Sequence, residues 1–377
     1  MKFLLAIDSF KGSISSLEAA NAFEAGIKRV KNNVEVIKIP IADGGEGTVE
    51  SLVNFTKGEI IKTKVKDPLM REIDSYFGIL GDGETVVIEM AAASGLPLLK
   101  DDERNPLYTT TYGTGELIKK ALDMGFRRFV LGIGGSATND AGVGMAMALG
   151  FKFLDKEGYD IGLGGVKLFN LHSIDTTCKD KRLDECEFLV ACDVENTLYG
   201  EKGATYVYAR QKGAGEEDLI LLEKSIVNFS NVVFKEFGIN ISEIKGGGAA
   251  GGLGAGAYVF LNGKIKKGID VLIDILKLDE VVKDVDFVVT GEGKIDGQTL
   301  SGKVPFGIAK LSKNYNKPVI AVCGLLEEGY KEIYNYGVDT IFSITNGPIS
   351  LNESMKNASV LIEDTAERII RFINIFK

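Results

Sequence analysis

The sequence predicts an α/β protein, with a mainly parallel sheet assembled from both ends of the chain and a mixed α/β domain inserted into it. Two observations carry that expectation. Short apolar runs alternate with helix-patterned stretches at the start of the chain and again after Asp270. From about Val65 the pattern shifts to short alternating strands with turn signals, as in an antiparallel or mixed sheet. A chain of 377 residues is long enough for two domains with sizeable cores. Residues 1–65 and 276–377 are therefore expected to form a Rossmann-like domain, with residues 66–275 as the insert.

The elements follow in order. Lys2–Ile7, KFLLAI, reads as a buried parallel strand ending on Asp8-Ser9-Phe10-Lys11-Gly12. Ser15 and Glu18 have capping-box spacing, and Leu17, Ala20, Phe23, Ile27 and Val30 then share one helix face. Val34–Ile39 is the second strand, stopped by Pro40, and its β-α-β crossover should be right-handed. Asp43-Gly44-Gly45-Glu46-Gly47-Thr48 stands just past its end.

In the insert, Val65–Tyr76, Tyr76–Leu80 and Glu84–Met90 read as strands, the last two joined by a Gly81-Asp82-Gly83 turn. Thr114–Met124 is a helix closed by Gly125. Phe129–Ile133 and Glu187–Ala191 are buried strands, and Glu216–Phe237 is a long helix ended by Gly238. Gly246–Gly256 holds seven glycines in eleven residues and runs into apolar Ala257–Leu261. That continuity favours close backbone packing or a ligand nest over a flexible linker. After Asp270 come helix Val271–Val282, strand Phe287–Thr290, helix Val304–Lys313 and strands Val319–Val322 and Thr340–Ile344. A last amphipathic helix carries Leu361, Ile369, Ile370 and Ile373.

Composition narrows the chemistry. Apolar residues make up 45% and charged residues 26%, ordinary for a globular protein. The net charge of −9 argues against nucleic acid and anionic membranes as partners, but leaves room for a small anionic substrate in a glycine nest. No apolar run reaches transmembrane length, and the chain enters a strand at once instead of a signal peptide. Cys178, Cys186, Cys192 and Cys323 lack CxxC or zinc spacing, so reduced thiols and a cytoplasmic location are expected. His172 is the single histidine and lies in a polar stretch, where a loop or surface position is expected. Acid–base work therefore falls to carboxylates or lysines.

The chemical centre of the sequence is Phe129–Gly144, FVLGIGGSATNDAGVG. A strand, a Gly134-Gly135 turn, the polar residues Ser136, Thr138, Asn139 and Asp140, then a helix at Met145–Leu149 is an arrangement that offers backbone N–H groups to an anion. Asp140 suits a metal or a substrate hydroxyl, whereas the plain reading makes Thr138 or Asn139 a helix cap. Further on, Gly297–Val304 nearly matches the phosphate loop GxxxxGK[ST], but Val304 replaces the magnesium-binding hydroxyl and no strand directly precedes it. Protein-kinase HRD and DFG signatures are absent. What remains is a set of glycine-rich strand ends bearing acids and lysines, the equipment phosphoryl transfer needs.

Eight segments together resemble the bacterial glycerate kinase family. They are Asp8-Ser9-Phe10-Lys11, Ala42–Thr48, Glu89–Gly95, Tyr112–Glu116, Gly132–Asp140, Ala191–Val194, the glycine run from Gly246, and Thr290–Lys303. They span the chain in the family's order; the family usually has Pro where this chain has Ile7. The resemblance implies ATP, Mg2+ and D-glycerate, two α/β domains around a cleft, and phosphoglycerate (2-phosphoglycerate favoured) as product.

Roles are assigned by chemistry. Asp193 at a strand end is the expected base, with Asp43 as competitor. Glu292 and Asp296 suit Mg2+, and Lys11 or Lys303 suits phosphate. Ser136 and Asn139, with the Gly134 and Gly135 backbone, suit a substrate carboxylate or a phosphate; Asp8, Ser9, Gly44, Gly45 and Asp140 complete the expected substrate and phosphate set. Two other classes stand beside this reading. A nucleotide-dependent oxidoreductase would need a GxGxxG after the first strand, where Asp8-Ser9-Phe10-Lys11 stands instead. A non-catalytic two-domain sugar-acid binder would leave the many strand-end acids unexplained. Repulsion among those acids predicts an open empty enzyme that closes with Mg·ATP and glycerate.

Overall fold

The structure is a computed structural model and describes residues 1–39, 41, 47–297, 299 and 303–376. Of the expected site residues, Asp43, Gly44 and Gly45 lie outside the described residues. Packing divides the chain into an outer unit, Met1–Asp43 with Ile269–Lys377, and an inserted unit, Gly44–Gly268. In chain order the outer unit has β1 (Lys2–Ile7) and β2 (Glu35–Lys38). The inserted unit has β3 (Glu59–Lys66), β4 (Glu72–Ile79), β5 (Thr85–Glu89), β6 (Arg128–Gly132), β7 (Lys152–Leu154), β8 (Ser173–Asp175), β9 (Glu187–Ala191) and β10 (Lys264–Lys266). β11 (Phe287–Ile295), β12 (Val319–Leu326) and β13 (Thr340–Ser343) return to the outer unit.

The unit boundaries differ from those expected at 65/66 and 275/276. Helix Thr48–Thr56, which the sequence reading omits, and β3 belong to the insert for a physical reason. β3 pairs antiparallel along the whole of β4, and Val49 and Val53 of the helix pack onto Gly78 of β4.

The outer sheet runs β13-β12-β11-β1-β2, with every pairing parallel. The chain steps from β1 to β2 on one side, then returns to β11 on the other side of β1 and moves outward. Strand order therefore reverses at the β1/β11 pair, and open α/β sheets bind ligands at the carboxyl ends of strands at such a reversal. β11 is five residues longer than expected, because Glu292 and Lys294 continue the pairing opposite Cys323 and Leu325 of β12. Glu292 thus stands on a strand, which ends at Ile295 and leaves Asp296 between it and Gly297. The expected helix Val271–Val282 is two helices, Gly268–Ile275 and Leu278–Lys283, broken where Lys277 takes φ 48°.

One face of this sheet is covered by helices Ser16–Val30 and Ala358–Ile373, which bury Phe3, Leu5, Ile7, Phe23, Ile27, Ile362 and Ile370. Ser15 and Glu18 form the expected capping box. Leu17, expected on the apolar face, is 52% exposed, and Ala19, Ala22 and Gly26 take part in the buried face instead. A Cβ on Gly26 would fall on the carbonyl oxygen of Glu363 and 2.7 Å from Ala366 Cβ. Alanine ordinarily favours a helix over glycine by about 1 kcal/mol. Gly26→Ala is nevertheless expected to destabilise the outer unit by about 1–3 kcal/mol through overpacking. Denaturant unfolding checks the sign.

The inserted sheet runs β10-β9-β6-β5-β4-β3. β5, β6, β9 and β10 are parallel, and β3, β4 and β5 are antiparallel, so the mixed sheet is as expected. The single expected strand Val65–Tyr76 is interrupted because Asp67 Oδ1 accepts from the N–H groups of Leu69 and Arg71, closing a turn between β3 and β4. β10 and the β7/β8 ribbon are three-residue strands that the sequence reading omits. The core includes Phe129 stacked on Phe188 at 4.6 Å and Phe260 edge-on to Phe153.

The glycine run packs the backbone closely and is no linker. Gly251, at φ 65°, lies where a Cβ would strike Thr138 O, and a Cβ on Gly256 would strike Ala141 O. Gly251 O also accepts from Ala141 N at 3.0 Å. The run therefore braces the Phe129–Gly144 stretch from behind. No described helix is long and apolar enough to cross a membrane.

Candidate active site

In the inserted unit, the parallel register sets Gly132 of β6 beside Ala191 of β9 and Glu89 of β5. The segments that follow these strands consequently emerge along one edge. After β6 come the exposed Gly134 and Gly135, then Ser136, which is 8% exposed. Gly135 O accepts from Leu96 N, and Ala137 N donates to Ser94 O. Among the described residues, the N–H groups of Gly134, Gly135 and Ser136 between them donate to no protein acceptor. Gly135 takes the left-handed conformation at φ 73°, the backbone state from which an anion nest is built.

The helix N-terminus two turns later is not such a nest, contrary to the sequence reading. Asp140, 1% exposed, folds its carboxylate onto it. Oδ1 accepts from Gly142 N at 3.2 Å. Oδ2 accepts from Gly144 N, Thr111 N, Thr111 Oγ1 and Thr110 Oγ1 at 3.2, 2.8, 2.9 and 3.2 Å. Burial pushes the Asp140 carboxyl up in pKa, and the donors from Thr111, Gly144 and Gly142 oppose this. Asp140 is a bolt between two loops, with its acceptor capacity used by the protein. Thr138 and Asn139 are fully buried, and neither caps the helix. Asn139 Nδ2 donates to Thr205 Oγ1 at 3.4 Å.

Lys212, which the sequence reading does not single out, lies beneath Ser136. It is 1% exposed and donates from Nζ to Ser136 Oγ at 2.7 Å and to Thr138 O at 2.8 Å. Burial pushes its ammonium down to about 7, while the Asp140 carboxylate raises it. Asp193, two residues past β9, is exposed, and its Oδ1 accepts from Gly268 N at 2.8 Å. Its neighbour Cys192 donates from Sγ to Val194 O, and burial pushes that thiol up to about 11. All four cysteines are free, and His172 is exposed.

In the outer unit, the β1/β11 reversal brings Asp8 and Ser9 beside Gly291 and Glu292. Asp8 N donates to Gly291 O at 2.9 Å, and Asp8 Oδ1 accepts from Ser9 N at 2.6 Å. Lys11 is exposed on the same loop. Glu292, 7% exposed, accepts from Thr299 Oγ1 at 2.8 Å and Lys303 Nζ at 3.0 Å. Asp296, also 7% exposed, accepts from Thr299 N at 3.2 Å and pairs with Lys294 at 2.9 Å. Thr299 thus ties two buried carboxylates together, each facing a lysine whose side chain is 39–45% exposed.

The described residues hold no group of three acidic, His or Cys side chains arranged for a metal ion. Mg2+ accompanying a nucleotide uses one or two carboxylates together with phosphate oxygens and water. Glu292 and Asp296 fit that smaller requirement.

A glycine turn with unused N–H groups, strand-end acids and lysines, all following parallel strands, are the equipment of an α/β enzyme that acts on small anions. The glycerate kinase family pattern matches residues 3–374, and the chain belongs to that family. It is 47% identical over 373 residues to a glycerate kinase of Haemophilus influenzae, covering 99% of each chain. It is 42% identical over 358 residues to a glycerate 2-kinase of Escherichia coli K12, covering 95% of this chain and 94% of that one. A crystal structure of a Salmonella typhimurium LT2 protein superposes with a TM-score of 0.89 at 43% identity, covering 100% of this chain and 98% of that one.

Proposed function

We propose that this protein transfers the γ-phosphoryl group of ATP to a hydroxyl of D-glycerate, giving phosphoglycerate and ADP. The observation that carries the reading is the end-to-end likeness to glycerate kinases, 47% identity over 373 residues. The 2-hydroxyl is the acceptor favoured by the relative named glycerate 2-kinase. A cytoplasmic location, where ATP is abundant, is part of this reading, and four free cysteines accord with it.

Each unit supplies a different part of the chemistry. In the inserted unit, the N–H groups of Gly134, Gly135 and Ser136 take the glycerate carboxylate. Asp193 accepts the proton of the attacking hydroxyl as the new O–P bond forms and the bond to ADP breaks. In the outer unit, Asp8 and Ser9 line the strand reversal where the nucleotide phosphates bind, and Lys11 and Lys303 meet their charge. Glu292 and Asp296 hold Mg2+, which when bound neutralises charge on the phosphates. Asn139 and Asp140 are buried and support the turn from within. The oxidoreductase and non-catalytic binder alternatives lack support in the family match.

ADP release with Mg·ATP is expected to depend on D-glycerate. Equal release with and without D-glycerate would contradict the reading.

A further inference from the structure

Lys212 is buried without an ion pair among the described residues. It lies in the three-residue turn Arg210–Lys212, which is closed by Gly213 in a left-handed conformation at φ 99°. The segment turns the side chain inward, and its amine ends on two oxygens of the Phe129–Gly144 stretch, Ser136 Oγ and Thr138 O. The carboxylate that acts on it, Asp140, is already held by Thr110, Thr111, Gly142 and Gly144.

An ammonium donating to a hydroxyl oxygen dictates where that hydroxyl's own proton goes. Ser136 Oγ receives Lys212 Nζ at 2.7 Å and donates to no protein acceptor among the described residues. Ser136 is also the last of the three residues with unused N–H groups, next to exposed Gly134 and Gly135. Its hydroxyl proton is therefore left for an acceptor outside the described residues, at the end of the run of unused N–H groups. A cation one atom behind that hydroxyl strengthens the donation, because charge assistance passes along a hydrogen-bond chain of low local dielectric. Such a lysine is costly for folding, since it is desolvated with no paired carboxylate.

We propose that Lys212 is a positioning and specificity residue for the anionic end of the substrate, orienting the Ser136 hydroxyl toward the ligand carboxylate and supplying the positive charge behind it. This rests on the glycerate kinase reading and names a residue that the reading does not use. The arrangement selects hydroxy acids over the corresponding polyols and amides. An uncharged end gains nothing from the buried cation.

The test is steady-state kinetics of Lys212→Met with D-glycerate, with D-glyceramide as the uncharged analogue, and with ATP varied. KM for glycerate is expected to rise about 10- to 100-fold, the size of one hydrogen bond to a charged group. KM for ATP and the activity with glyceramide should stay within about twofold of wild type. The thermal midpoint is read on the same samples, because the substitution removes a desolvated charge but also the donor to the buried Thr138 O. Ser136→Ala, which leaves the lysine in place, should also raise KM for glycerate. An unchanged KM for glycerate in either folded variant overturns the proposal. A lowered thermal midpoint with unchanged KM is the signature of a purely structural lysine and overturns it as well. Wild-type enzyme that does not phosphorylate glycerate overturns the functional reading itself; active wild type with an indifferent Lys212→Met overturns only the role of the lysine.

Discussion

Asp193→Asn is expected to lower kcat by about two to four orders of magnitude, the usual weight of a lost general base, while leaving the fold intact. Asp193 is exposed two residues beyond the last residue of β9, on the edge that also carries Gly134 and Gly135. Its Oδ1 accepts from Gly268 N at 2.8 Å, a bond that an asparagine carbonyl can also make. The variant should therefore keep that backbone bond and lose the capacity to take a proton. No imidazole substitutes for it, since His172 is the single histidine and is an exposed residue of the polar segment before β8. Steady-state kinetics with a thermal melt on the same sample separate chemistry from folding. A variant with an unchanged melt and most of its kcat would remove Asp193 from the mechanism and turn attention to Asp43.

Asp140→Asn should act in the opposite way, on the fold before the chemistry. The carboxylate accepts backbone N–H donors on both oxygens, from Gly142 on Oδ1 and from Thr111 and Gly144 on Oδ2. Whichever way an amide is turned, its NH2 group meets a backbone N–H where an acceptor is needed, in a site 1% exposed. Unsatisfied buried donors cost about 1–3 kcal/mol each, so a loss of about 3–5 kcal/mol is expected. For a unit of this size, that corresponds to a drop on the order of 10 °C in its melting temperature. Differential scanning calorimetry measures it. A variant that melts with wild type would show that Asp140 is not the bolt described here.

What the sequence made legible was local. KFLLAI, FVLGI and EFLVA were readable as strands because an apolar run bounded by glycine or polar turns is enough to mark one. Ser15 and Glu18 were readable as a cap because the device is complete within four residues. The misses share the opposite property. Glu292 and Lys294 look like loop residues between glycines, and only their pairing with Cys323 and Leu325, some thirty positions away, makes them strand. Three-residue β10 exists because β9 offers it a partner along Leu189–Ala191. Leu17 has the periodicity of a core residue, yet the facing helix leaves it at the rim.

The site divides in the same way. The Gly134-Gly135 turn, with its left-handed glycine and unused N–H groups, was readable from its own residues. That Asp140 would spend its carboxylate on Thr110 and Thr111 depended on a loop 29 or 30 positions earlier. Lys212 carried no local signal, because a lysine beside a turn glycine is ordinarily a surface residue. Its burial depends on the turn being packed against Ser136, 76 positions away.

The central claim, phosphoryl transfer from ATP to glycerate, is tested most directly by phosphorus NMR of the product formed from D-glycerate and Mg·ATP. Phosphate on the 2-oxygen couples to the single proton on that carbon, and phosphate on the 3-oxygen couples to two. The account predicts ADP together with a new phosphomonoester doublet, rising only when D-glycerate is present. A triplet would place the phosphoryl group on the 3-hydroxyl and correct the regiochemistry; inorganic phosphate as the sole product beside ADP would contradict glycerate kinase activity altogether.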